Sequence, residues 1–122
     1  MNKFIFKGTT RTAFMFFKYA IKIPRIYNVK MFVNGWESNI TEFEFSQFLQ
    51  PYVTPTIFSF YGLINIQHRI VLSNNEKEII KRWDDLISSA PEDVKQYLLN
   101  HVEAKISGLG YLNGKVVACD YG

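Results

Sequence analysis

The chain has one cysteine, Cys119, and two histidines, His68 and His101. One thiol cannot close an internal disulfide, and that fits a reducing compartment. No H-x-x-x-H or C-x-x-C spacing occurs, so the common zinc-site patterns are excluded. Long apolar runs are also missing. The longest, AFMFFKYAIKI, is broken by Lys18 and Lys22 and is too short to cross a bilayer. Its basic lead-in lacks the small-residue cleavage site of a secretory signal. The expectation is a cytoplasmic protein with no membrane partner. Acid is absent from residues 1–35, which carry seven Lys or Arg, while the remainder carries seven Lys or Arg against eleven acids. The overall charge of +3 therefore divides into +7 and −4. Such a basic stretch is either a set of solvated strand lysines or a surface for phosphate, nucleic acid or an acidic protein patch. Lys3, Lys7, Arg11, Lys18, Arg25 and Lys30 are its candidate interface residues.

What is present is typical of one folded domain. Of 122 residues, 48% are hydrophobic and 20% charged, which is outside the range of disordered chains. Eleven Phe and seven Tyr imply a core built largely from rings.

KFIFKG places apolar residues at positions 4 and 6, the period of a half-buried strand. GTTRT reads as a turn. AFMFFKYAIKI reads as one or two further strands, and Pro24, lacking an N–H, ends the pairing. A helix is expected over 39–49, with Ile40, Phe43 and Leu49 on its buried face and Asn39 or Thr41 as its cap. PYVTPTIFSFYGLINIQHRIV reads as two strands joined at FYG. In SNNEKEIIKRWDDLISS, Ile79, Ile80, Trp83, Leu86 and Ile87 recur at helical spacing behind capping residues. APEDVKQYLLNHV predicts a further helix, with Pro91 in its first turn and Val94, Leu98 and Leu99 buried. GYLNGKVVACDYG reads as a hairpin turning at LNG. The fold class is α+β: an antiparallel sheet of about five strands with one packed helix, then two helices and a terminal hairpin. The whole is expected to form a single domain, 1–72 holding the sheet and helix and 73–122 the rest.

Lys22, in YAIKIP, stands where the strand pattern puts it beside apolar neighbours. A lysine on an inner sheet face needs a counter-charge or loses its proton; at an edge it would reach back to solvent. In this order the chain resembles the small lobe of a protein kinase followed by a shortened start of the large lobe. AIKIP resembles the strand whose lysine holds nucleotide phosphates. GWESNITEFEF resembles the helix whose glutamate pairs with that lysine, Glu42 being the first choice and Glu44 the second. PTIFSFYGLINIQHR resembles the two strands leading to the hinge. HVEAKISG lies where kinases carry the catalytic loop, and VVACDYG is similar to the strand and Asp-aromatic-Gly turn that binds magnesium. Short bacteriophage and prophage proteins with AIKIP-like and VDYG-type segments are similar too.

The resemblance implies nucleotide binding by Lys22, Glu42 and Arg11, a metal at Asp120, and Glu103 as the candidate base if the chain is enzymatic. It also exposes departures. The phosphate loop offers one glycine, Gly8, where backbone amides must approach phosphates. Glu103 stands in place of the catalytic aspartate, and Gly108 in place of the asparagine that binds a second metal. The sequence ends at Gly122, directly after DYG, without an activation segment or large-lobe core. Positioning supplies most of the rate in phosphoryl transfer, so transfer to a protein by these residues alone is not expected. The leading expectation is a catalytically inactive, kinase-like binding module without a cofactor, an inhibitor or modulator of a host protein, in the host cytoplasm if phage-encoded. The alternatives are a magnesium–ATP phosphotransferase completed by a second chain, and single-stranded nucleic-acid binding through the basic N-terminal face.

Other chemistry is weaker. His101 near a helix end suits the helix dipole, and His68, beside Arg69, is expected to be exposed. Cys119 is expected to be a buried strand residue and inert. Asp84 and Asp85 read as a solvated acidic patch, since consecutive helical residues do not share a face. Basic residues interleave with Phe and Tyr over residues 3–30, as in base-stacking platforms. Strand alternation, however, is expected to bury many of those rings, and no nucleic-acid-binding motif occurs.

Overall fold

The computed structural model describes residues 5–7 and 10–121, with side chains from Thr10 onward. Lys3, Gly8 and the Lys7 side chain lie outside the described residues. The fold is α+β. In chain order its elements are β1 (Ile5–Lys7), β2 (Arg11–Phe16), β3 (Tyr19–Pro24), α1 (Val29–Leu49), β4 (Thr56–Phe60), β5 (Ile64–His68), α2 (Glu76–Ser88), α3 (Glu92–His101), β6 (Leu109–Leu112) and β7 (Lys115–Ala118). Two compact units emerge. One comprises the described residues up to Phe45 together with Pro55–Arg69, and the other Ser46–Thr54 together with Ile70–Tyr121. Ser46–Thr54 joins the second unit through backbone pairing far along the chain: Val53 bridges Ala118, and Thr54 N–H donates to the Ala118 carbonyl at 2.9 Å.

The first unit is a five-stranded antiparallel sheet of order β1-β2-β3-β5-β4. The register pairs Lys22 with Ala13 and Asn65, and Ala20 with Met15 and Gln67, so these residues share one face. A bulge between Thr56 and Phe58 lets Thr56 join that face, opposite Gln67, while Phe58 turns to the other, opposite Ile66. At the β4–β5 turn, Tyr61 and Gly62 both have positive φ, 53° and 78°. Gly62 is required there for a second reason: a Cβ would lie 2.6 Å from Ile40 Cγ1.

Helix α1 begins ten residues earlier than its periodicity predicts, at Val29 rather than 39. Its cap is Asn28, whose side chain accepts from Met31 N–H at 2.9 Å, not Asn39 or Thr41. The buried stripe is also different. Gly35, Asn39, Glu42, Ser46 and Leu49 are buried, spaced by four and three, whereas Phe43 is exposed and Ile40 only half-buried. Of the expected face Leu49 is buried, but Phe43, Phe45 and Phe48 are exposed, so hydrophobicity alone misplaces most of the face and the start.

The second unit contains the hydrophobic core. Leu49, Val53, Ile79, Trp83, Ile87, Val94, Leu98, Val102, Leu109, Val116, Ala118 and Tyr121 form one buried cluster. The expected stripe of α2 is present, with Ile79, Trp83 and Ile87 buried and Ile80 and Leu86 packed beside them. Asn75 caps this helix by accepting from Glu78 N–H at 3.1 Å. In α3, Val94 and Leu98 are buried, but Leu99 points outward at 54% exposure, because i and i+1 cannot share a helix face. The terminal hairpin turns at Asn113–Gly114, both with positive φ, as a two-residue hairpin turn requires. The core does not consist of phenylalanine rings. Among the described residues no Phe is buried, and seven Phe are exposed.

Candidate functional site: a carboxylate shared by two cations

Alternation along β3 puts Lys22 on the face opposite Ile21 and Ile23, and in the structure that face is the buried one. It is 7% exposed. The helical stripe places Glu42, with no exposed surface, directly opposite. Lys22 Nζ donates to both carboxylate oxygens, at 3.0 and 3.3 Å. A second cation completes the cluster: Arg11 Nη1, from β2, lies 2.7 Å from Glu42 Oε1. Gln67 Nε2 donates to the same oxygen at 2.9 Å and to Thr56 Oγ1 at 3.0 Å. Glu44 is exposed on α1, so Glu42 is the partner.

Amides hold the cluster in place. Asn39 Nδ2 donates to the Lys22 carbonyl at 3.2 Å and the Gly62 carbonyl at 2.9 Å, while its Oδ1 accepts from Arg11 at 3.2 Å. Asn65 Nδ2 donates to the Asn39 carbonyl at 2.6 Å. These bonds bind α1 to β3, β5 and the β4–β5 turn through polar groups, where most sheet–helix interfaces use apolar ones. Two buried acceptors, Asn65 Oδ1 and Gln67 Oε1, have no partner among the described atoms.

Burial alone would raise the Glu42 pKa. The Lys22 and Arg11 charges and their hydrogen bonds outweigh it and hold the group at about 2, against an ordinary 4.5. Glu42 thus takes charge-assisted bonds from two cations on adjacent strands. Arg11 therefore does not belong to the outer basic surface on which the sequence places it. Lys18 and Lys30 are exposed, and Arg25 is half-buried.

The remaining candidates lie in the second unit. Glu103 pairs with Lys105 at 3.0 Å, both well exposed. Gly108 is buried. The Asp120 residue is exposed, while Tyr121 beside it is fully buried and donates from its hydroxyl to the Thr54 carbonyl at 2.9 Å. Cys119 lies one residue beyond β7 and is half-buried rather than within the strand, its sulfur 3.6 Å from the Gly108 carbonyl. His101 ends α3 and stacks on Tyr97 at 4.1 Å, and half-buried His68 stacks on Tyr19 at 6.1 Å. Among the described residues, no three His, Cys, Asp or Glu side chains cluster as a metal site would require, and no helix is long and apolar enough to cross a membrane.

Sequence reasoning missed the roles of Asn39, Asn65 and Gln67. A signal existed for the last two. In INIQH the amides alternate with isoleucines, in the same two-residue period that turns Lys22 inward. Comparison with protein-family models, with curated proteins and with solved structures finds no match to this chain.

Proposed function

We propose that this chain is a protein-kinase-like binding module that acts by occupancy rather than by phosphoryl transfer. The observation that carries the reading is the buried Lys22–Glu42 pair. Protein kinases use a lysine on the third small-lobe strand paired with a glutamate on the following helix, and the pair must form before the site can work. Here the lysine is on β3 and the glutamate on the helix that follows it. The order of elements after α1 is compatible with the same plan: two strands, two helices and a hairpin leading to Asp120–Tyr121.

Two features favour binding over chemistry. Gly108 offers no metal-ligating side chain. Glu103, the residue aligned with the catalytic base, is ion-paired to Lys105. The module is read as a modulator of another protein. The test is thermal: millimolar magnesium–ATP is expected to leave the melting temperature unchanged, and labelled γ-phosphate to stay on the nucleotide. A rise in melting temperature that Lys22→Ala and Asp120→Ala both abolish would replace this reading with that of a nucleotide-dependent phosphotransferase completed by a second chain.

A further inference from the structure

The first unit is polar inside and apolar outside. Antiparallel sheets with one covered face usually bury their apolar side and leave the polar side wet. Here Lys22, Asn65, Gln67 and Thr56 face inward, and the ladder pairs Phe16 with Tyr19, and Phe58 and Phe60 with isoleucines, on the opposite face. The rings are in the open: Phe16 is 58% exposed, Phe58 44% and Phe60 50%. An exposed aromatic face of this kind marks a contact surface. The expectation that alternation would bury these rings fails because the interior is taken by the ion cluster.

Charge identifies the occupant. The described residues of the sheet and its turns, 10–25 and 55–69, contain Arg11, Lys18, Lys22, Arg25 and Arg69 and no Asp or Glu. All three acids of this unit, Glu37, Glu42 and Glu44, lie on α1. The rim of the outer face is correspondingly basic. Lys18 lies 5.6 Å over the Tyr19 ring, Tyr19 stacks on His68, and Arg69 follows at the end of β5. At the other end of β3, a cleft of about 280 Å³ is lined by Thr12, Ile23, Pro24, Arg25, Ile26 and Tyr27, joining the apolar face to a guanidinium and a phenol. Exposed rings on a sheet bordered by cations are what single-stranded nucleic acids require: bases stack on the rings, and phosphates meet the charges.

We propose that the outer face of this sheet, through Phe16, Tyr19, Phe58 and Phe60 with Lys18, Arg25 and Arg69 at its rim, binds single-stranded nucleic acid. The surface is opposite the Lys22–Glu42 face and stands independently of the kinase-like reading. The test is fluorescence anisotropy of labelled oligothymidylate and oligouridylate with the full chain. Binding is expected with a log–log salt slope of about −2, from three phosphate contacts on a single strand. Phe16→Ala and Phe60→Ala are each expected to weaken it about tenfold, as the loss of one stacked base does. Both rings are half-exposed, so these variants should keep the wild-type circular dichroism. Lys18→Glu with Arg69→Glu, which keeps all four rings, should abolish binding and provides a second check. No binding at low salt would overturn the proposal. So would binding that ignores the ring substitutions, or self-association through this face that the oligonucleotide does not disperse, which would assign the surface to a second copy.

Discussion

Arg11 Nη1 lies nearer to Glu42 Oε1, at 2.7 Å, than does Lys22 Nζ, at 3.0 Å. The carboxylate thus has two cationic partners from adjacent strands. Either one alone can prevent it from being a buried, uncompensated charge, and that redundancy shapes the expected behaviour of variants.

Glu42→Gln removes the shared anion and leaves two cations in a covered site. Breaking a buried pair from one side costs about 3–5 kcal/mol. Urea unfolding is expected to show a loss of that size. Glu44→Gln, on the exposed side of the same helix, should change stability by less than about 0.5 kcal/mol.

Lys22→Met and Arg11→Met should each cost less than Glu42→Gln, because the other cation still holds the carboxylate. The double variant should lose more than the sum of the singles, with a coupling of about 1–3 kcal/mol, since it forces Glu42 to protonate or unfold the site. Additive losses in the cycle would mean that the two cations act independently.

The depressed Glu42 pKa fixes the sign of an acid effect. A group held at about 2, against 4.5 in the unfolded chain, contributes its full stabilisation above 4.5 and loses it as pH falls towards 2. The stability gap between wild type and Glu42→Gln is therefore expected to be constant near neutrality and to close across that window. Denaturation midpoints measured at a series of pH values check this.

In the second unit, Tyr121→Phe removes the hydroxyl bond to the Thr54 carbonyl without changing the ring volume. A loss of about 1–2 kcal/mol is expected. Trp83→Ala, at 2% exposure in the core, should cost about 3–5 kcal/mol. Leu99→Ala should be nearly neutral because its side chain is outside that core.

Where periodicity and burial coincide, the residues alone were enough. The α2 stripe of Ile79, Trp83 and Ile87, the hairpin at Asn113–Gly114 and the strand ending at Pro24 all follow from local chemistry: helical spacing, left-handed turn residues and a missing N–H. Strand alternation also puts Lys22 on the face opposite Ile21 and Ile23. Local pattern could not say which face of the sheet is the inside. In α1 and β4 the most apolar residues, Phe43, Phe58 and Phe60, are exposed, while Asn39, Glu42, Asn65 and Gln67 fill the interior. That inversion arises only when β2, β3, β5 and α1 meet, because a buried ammonium, guanidinium and carboxylate each demand partners that lie 20 to 31 residues apart in the chain. Tertiary structure decided the start of α1, the second cation on Glu42 and the exposed aromatic face, since pairing of charges across the sheet outweighs the local preference of phenylalanine for burial.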